Sequence, residues 1–347
     1  MGQVILVVFA VLSACLFVFF ATPIVVKSPF SKRFAAIPNH RSSHIQLIPN
    51  IGGIPIYVAI TIAVLFSLVY NWDYPIIHGF VFISILFFGG LIDDFKSLPF
   101  YVKLTIQIVA AIWLVILMPY TLPAIPLIPQ SMFWHPIILQ IFWVIFVVTV
   151  VNAYNFIDGV DGLASGLAIM ASIIFFLLYF ISGLFGLALI LSVLVGSLVG
   201  IIPHNLKAGY GKVFLGDSGA MLLGGAITWS IISLAHFSKF SGVFSFDLIL
   251  LGVVFIPVAD LFRVSIYRLI KGFSPFKADR THIHHILLDR YEFTHKMVTA
   301  YILVVQAAIL FVLVLWDTQV NQGQMYVSFA FLIGYISVFD AKVSVKK

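Results

Sequence analysis

Charge is scarce in this sequence: 9% of its 347 residues are Asp, Glu, Lys or Arg, against about 25% in an ordinary soluble domain. Sixty-two per cent of the residues are hydrophobic and the mean hydropathy is +1.14. A soluble core cannot hide that much apolar surface, so a water-soluble globule is excluded and lipid is the solvent. Cysteine is nearly absent too. The single Cys15 falls inside the first apolar run, so no intrachain disulfide can form. Internal repeats, low-complexity tracts and polar linkers are also lacking, and one membrane-embedded domain over residues 1–347 is expected.

What the chain does have is apolar runs of bilayer length, about 20 residues each. Eleven qualify: 3–26, 51–71, 76–92, 101–118, 137–155, 163–181, 184–203, 219–235, 246–268, 298–316 and 324–340. The expected fold is therefore an all-α polytopic integral membrane protein with about 11 transmembrane helices. The first run lacks a basic n-region and an A-x-A-like site before its end, so it reads as an anchor and not as a cleaved signal. Lys and Arg placement gives orientation, because cytoplasmic loops collect them. With the N-terminus outside and the C-terminus cytoplasmic, only Lys239 of the 19 basic residues lies on the outer side. The net charge of +6 is then a topology signal, and nucleic acid is not an expected partner. "GSLVG", with Gly196 and Gly200, fits the small-xxx-small pattern of closely packed membrane helices.

Acids are few, 13 in all, and unevenly placed. A carboxylate at mid-bilayer costs about 2.5–3.5 kcal/mol even on a lenient insertion scale. Asp73, Asp247 and Asp317 read as solvated turn residues on the outer face. On the inner face, four helix ends carry acids: Asp93 and Asp94 in "FFGGLIDDFKSLP", Asp158 and Asp161 in "NAYNFIDGVDGLA", Asp217 in "KVFLGDSGAMLLGG", and Asp260. Helix caps alone would be shared between both faces. Asn152, Asn155, Asp158 and Asp161 are three apart, so successive members are neighbours on a helix surface, and Gly159 and Gly162 allow a break between them. A capped helix–turn–helix explains this stretch by itself; with the other acids it becomes the weaker account. Converging carboxylates repel unless a positive group joins them. Aspartate as the repeated ligand type suits Mg²⁺ or Mn²⁺, and Mg²⁺ usually binds one or two carboxylates together with substrate phosphates.

The last inner loop, "KGFSPFKADRTHIHHILLDR", crowds Arg280, His282, His284 and His285 into six residues after Lys271 and Lys277. Three readings compete: a zinc site, solvated loop histidines, and an anion clamp. No cysteine assists and the spacing matches no standard zinc motif. Arg, His and Lys together suit a diphosphate.

In order, "IDDFKSLP", "NAYNFIDGVDGLA", "KVFLGDSGAMLLG", "PVAD" and "KGFSPFKADRTHIHH" resemble the motifs of the polyprenyl-phosphate N-acetylhexosamine-1-phosphate transferases, the superfamily of WecA and MraY. The resemblance runs from "LIPNIGGIPIY" to the tenth span and is nearest the WecA branch, the undecaprenyl-phosphate N-acetylglucosaminyl 1-phosphate transferases. It implies an Mg²⁺-dependent enzyme of the bacterial cytoplasmic (inner) membrane with its active site on the cytoplasmic side. Its implied partners are a UDP-N-acetylhexosamine, undecaprenyl phosphate and membrane lipid, with a homodimer compatible. The sugar-1-phosphate would pass to the lipid, releasing UMP and starting a cell-surface glycan such as O-antigen. The same family takes other UDP-N-acetyl sugars, and that alternative stays open, as does a two-step route through a phospho-aspartate.

By the family motifs, Asp93 would accept a proton from the lipid phosphate, and Asp94 would help shape the cation site as a ligand. Asp217 would be the direct Mg²⁺ ligand. Asp158 and Asp161, with Asn155, would hold the nucleotide or support the metal. Arg280, His282, His284 and His285 would bind the diphosphate, and Lys103 the lipid phosphate. Departures exist: the third acid of a D-D-x-x-D row is Ser97 here, and Tyr101 replaces one of two basic residues expected before the fourth span. The stretch "NLKAGYGK" leaves Asn205 only loosely assigned. Among other classes, a secondary transporter would place acids nearer mid-bilayer and show matching halves. A CDP-alcohol phosphatidyltransferase would need an Arg after the "DGVDGLAS" motif.

Overall fold

The computed structural model describes residues 2–29, 31–36, 48–70, 72, 76–117, 122, 134–209, 211–237, 246–274 and 280–316. The architecture is a helical membrane bundle. In chain order the helices are α1 (Gly2–Lys27), α2 (Gly53–Val69), α3 (Ile76–Lys96), α4 (Phe100–Ile116), α5 (His135–Ile157), α6 (Leu163–Ile181), α7 (Phe185–Asn205), α8 (Gly216–Phe237), α9 (Phe246–Ile270), the short α10 (Ile283–Asp289) and α11 (His295–Trp316). Ten of these coincide with the first ten predicted spans; the eleventh, 324–340, lies outside the described residues, as do Asp73, Lys239, Lys277 and Asp317. Among the described residues, seven helices are long and apolar enough to cross a bilayer by length and composition. At 17 residues each, α2 and α4 sit at the short end of the spanning range.

Burial separates the centre from the rim. Within its spanning window α8 is 94% buried and α7 78%, whereas α1 is 17% and α11 22% buried. Packed against α8 are α3 and α5, while α1 lies on α7. The glycine motif supplies the α1–α7 contact. A Cβ on Gly196 would stand 2.2 Å from Val11 O, and one on Gly200 2.5 Å from Cys15 O. One step further along the same stripe, His204 Nε2 lies 2.9 Å from Phe19 O. That carbonyl is one turn before Pro23, which has no N–H to offer it. The side chain of α7 satisfies what the proline of α1 leaves open.

At the site end, a short antiparallel pair, β1 (Ala35–Ala36) and β2 (Ile48–Pro49), pairs Ala35 with Pro49 and Ala36 with Ile48. Phe214 N donates to Pro49 O at 3.0 Å and Gly52 N to Phe214 O at 2.9 Å. These bonds pin the segment before α8 to the start of α2. Gly216 then enters α8 with φ +77°, a left-handed conformation that favours glycine. A Cβ there would also lie 2.7 Å from Asp94 Oδ2. On α3, a Cβ at Gly90 would lie 2.6 Å from Asp217 O. The missing side chains let the acid-bearing end of α3 and the N-terminus of α8 meet backbone to backbone.

Candidate active site

Three helices converge on one ammonium group. Lys103 Nζ, from the first turn of α4, lies 2.5 Å from Asp93 Oδ2 on α3 and 3.0 Å from Asp217 Oδ2 on α8. Asp217 Oδ1 accepts from Asn155 Nδ2 on α5. Asp93 Oδ1 takes the Leu98 backbone N–H at 2.6 Å, which orients the carboxylate from behind. Two turns of interhelical bonding back this arrangement: Gln107, four residues after Lys103, and Asn152, three before Asn155, exchange side-chain amide bonds at 2.6 and 3.3 Å. Asn152 therefore braces α4 against α5 and does not join the carboxylates.

Asp94 differs from its expected role. Its Oδ1 accepts the Asp217 N–H and its Oδ2 the Ser218 N–H, both at 2.9 Å. Both oxygens thus cap the N-terminus of α8, where backbone donors and the helix dipole favour negative charge. Asp94 thus holds the end of α3 to the start of α8. Lys103, expected to meet a lipid phosphate, is engaged by Asp93 and Asp217.

Asp158 follows the last residue of α5 and is half-buried. Burial, then the charges of Asp217, Asp94 and Asp161, push its carboxyl well above the usual carboxylate range. Asp161 belongs to a different cluster. Its Oδ2 lies 2.5 Å from Lys212 Nζ and 3.1 Å from His295 Nδ1. Burial opposes its ionisation, but the bonds from His295 and Lys212 hold it below the usual range. Thr299 Oγ1 donates to the Asp161 carbonyl at 2.8 Å. Next door, Asn205 Oδ1 accepts the Gly162 N–H at 2.6 Å, and its Nδ2 donates to Val213 O at 2.9 Å. Asp161 and Asn205 thus form a latch tying three loops together.

The histidine loop is built from α9. Asp260 Oδ2 lies 2.7 Å from His282 Nδ1, and its Oδ1 accepts the Ile283 N–H at 3.0 Å. Arg263 Nη2 donates to Asp260 Oδ1 at 2.8 Å and to Thr281 O at 2.5 Å. A carboxylate facing Nδ1 makes that nitrogen the donor and leaves Nε2 for another partner. The His282 ring stacks on Phe156 at 5.4 Å and on His284 at 5.7 Å, so the loop covers the end of α5. His284 is 1% exposed, and a Cβ on Gly159 would lie 2.6 Å from its Nε2. Both His284 ring nitrogens and His285 Nδ1 are buried without a hydrogen-bond partner. Burial, then the neighbouring charge of His285, lowers His284 to about 3. Burial and Arg280 lower His285 to about 4. Arg280 itself faces outward in a bidentate pair with Asp289 at 2.7 and 2.8 Å, so the expected anion clamp is not assembled around it. Of these residues, the sequence reading gave no role to Arg263, Lys212, His295 or Phe156, and counted Asp260 only as one more inner acid. The i,i+3 spacing of Asp260 and Arg263 was the available signal.

Acids thus gather at the ends of α3, α5 and α8 around Lys103 of α4, and the histidine loop lies against Phe156 at the end of α5. Residues 76–235 match the family described as Glycosyl transferase family 4, and the chain belongs to it, within the polyprenyl-phosphate N-acetylhexosamine-1-phosphate transferases. It is 30% identical over 303 residues to the undecaprenyl-phosphate alpha-N-acetylglucosaminyl 1-phosphate transferase of Escherichia coli (strain K12), covering 85% of this chain and 78% of the relative. To the protein of the same name from Thermotoga maritima it is 32% identical over 273 residues, covering 77% of each. The probable undecaprenyl-phosphate N-acetylglucosaminyl 1-phosphate transferase of Bacillus subtilis (strain 168) is 32% identical over 306 residues, with 85% and 80% covered.

Proposed function

We propose that this chain transfers N-acetylglucosamine-1-phosphate from UDP-N-acetylglucosamine to undecaprenyl phosphate, releasing UMP. The observation that carries the reading is the meeting of Asp93, Lys103 and Asp217 within 3.0 Å; in the histidine loop, buried ring nitrogens lack partners among the described residues. Buried polar atoms are almost always hydrogen-bonded, and phosphate and sugar oxygens would supply what His284 and His285 lack.

A lipid phosphate oxygen attacks the β-phosphorus of the UDP-sugar; the new P–O bond forms as the bond to UMP breaks. Asp93 takes the proton of the lipid phosphate when it carries one. Asn155 orients Asp217. His282, with Nδ1 committed to Asp260, offers Nε2 to the diphosphate, where charge spreads over non-bridging oxygens in the transition state. Asp161 acts through the loops it ties together.

The donor set fits a hard divalent cation. Asp93 and Asp217 already draw one positive group between them. A cation of this kind takes one or two carboxylates and completes its shell with phosphate oxygens. Mg²⁺ held by Asp217, with Asp93 beside it, would neutralise charge on the diphosphate. The acids stand at helix ends on the side where Lys and Arg collect, so we place the site at the cytoplasmic face of the inner membrane. The N-terminus is then outside.

The test is UMP release by purified protein in detergent. Release that requires UDP-N-acetylglucosamine, undecaprenyl phosphate and Mg²⁺ together supports the reading. Release with a different UDP-N-acetyl sugar alone would change the donor and keep the chemistry. Silence with every nucleotide sugar, from well-folded protein, would end it.

A further inference from the structure

Proline breaks a helical ladder, and α9 shows an unusual repair. Pro257 lies inside α9; it has no N–H, and its ring displaces the carbonyl one turn earlier. In a continuous helix the Ile256 N–H would bond to Gly252 O. Here it donates to Gln306 Oε1 on α11 at 3.2 Å, and Gln306 Nε2 donates to Gly252 O. One side-chain amide is spliced into the ladder, a bond on each side of the break. Gln306 is 1% exposed, and in a bilayer no water competes for the freed backbone groups. Beside it, among the described residues, α9 and α11 enclose a cleft of about 220 Å³ lined by Ile256, Ala259, Asp260, Tyr301 and Val305 among others.

What lies beyond the break gives the amide its consequence. Asp260 and Arg263 follow Pro257 by one and two turns, and they hold His282 Nδ1, the Ile283 N–H and the Thr281 carbonyl. The direction of α9 after the proline therefore sets where His282 stands. We propose that Gln306 is a positioning residue: its amide fixes the course of α9 past Pro257 and, through Asp260 and Arg263, places His282 over the end of α5. The catalytic consequence rests on the transferase reading above; the placement of His282 does not.

Gln306→Leu removes both bonds while keeping an apolar side chain. The expected result is a fall in kcat for UMP release of about 10- to 100-fold, the scale of a misplaced catalytic group. His282, identified by peptide mass spectrometry, should also become more reactive toward diethyl pyrocarbonate. Adding Pro257→Ala returns a full ladder, with the Ile256 N–H free to bond to Gly252 O. The thermal midpoint should then recover while kcat stays low and His282 stays reactive, because α9 is now straight. Recovery of kcat together with the midpoint would overturn the proposal and reduce Gln306 to a backbone patch. So would an unchanged kcat and protected His282 in folded Gln306→Leu. If that variant does not fold, Gln306→Glu, which keeps the acceptor and loses the donor, takes the same readouts. A wild type that releases no UMP would count against the transferase reading, and the His282 modification would still decide the placement.

Discussion

Two polar clusters at the same end of this bundle are wired in opposite ways. Around Asp260, charge is balanced: Arg263 and His282 meet one carboxylate, all three buried. Around Lys103 it is not. Asp93 and Asp217 share that single ammonium, Asp94 accepts backbone N–H groups of α8, and Asp158 lies within electrostatic reach of Asp217 and Asp94. Converging carboxylates destabilise one another, so a bundle built only for stability would use the first arrangement in both places. The Asp161–Lys212–His295 latch does use it. On the proposed reading, the imbalance around Lys103 is where a cation and a phosphorylated substrate would arrive, whereas the balanced carboxylates hold other groups in place.

The largest effect that tests this contrast is on activity. Asp217→Asn should lower UMP release by about 10²- to 10⁴-fold, the range for a lost catalytic or charge-stabilising group. Its thermal midpoint should be unchanged or raised, because a carboxylate leaves a crowded cluster. A large fall in midpoint would show that Asp217 is scaffolding after all. On the balanced side, Asp260→Ala leaves Arg263 buried without its carboxylate and should cost about 3–5 kcal/mol of stability, read by denaturant or thermal unfolding in detergent. Activity should fall with it, since His282 loses its anchor. A stable Asp260→Ala protein would erase the distinction between the clusters.

How much of this was legible beforehand follows from the range of each interaction. Hydrophobic runs are local, so the ten described helices that coincide with predicted spans could be read from the chain. The spacing of Gly196 and Gly200 is local too, and it is borne out against Val11 and Cys15. The convergence of Asp93, Asn155 and Asp217 was reachable through motif order, because each sits at the end of its own helix on one face. The jobs of individual oxygens were not. Asp94 caps a helix 123 residues away, Asp161 meets Lys212 and His295 at separations of 51 and 134, and Gln306 repairs a break 50 residues back. Nothing in composition or period records such pairings. A motif could propose Asp161 as a site residue, but only packing shows that its charge is already spent on a latch.

The smallest effect concerns pH, and it sets the two regions against each other once more. An unfolded histidine takes a proton near 6.5, whereas buried His284 resists until about 3 and His285 until about 4. Below pH 6.5 the unfolded chain therefore binds more protons at these two positions, and stability falls as pH drops. Above 6.5 both states are neutral there and contribute no slope. Asp158 runs the other way: its carboxyl is raised in the folded chain, so the folded state binds the extra proton and acidification stabilises it. Asp161, held low, titrates only below the usual carboxylate range and leaves this window undisturbed. His284→Gln should then flatten the loss of stability between pH 6.5 and 5 by at most about 1.4 kcal/mol per pH unit, one proton's worth. Asp158→Asn should steepen it. Parallel curves for wild type and both variants would mean that neither burial nor the crowding of acids governs how this end of the bundle responds to protons.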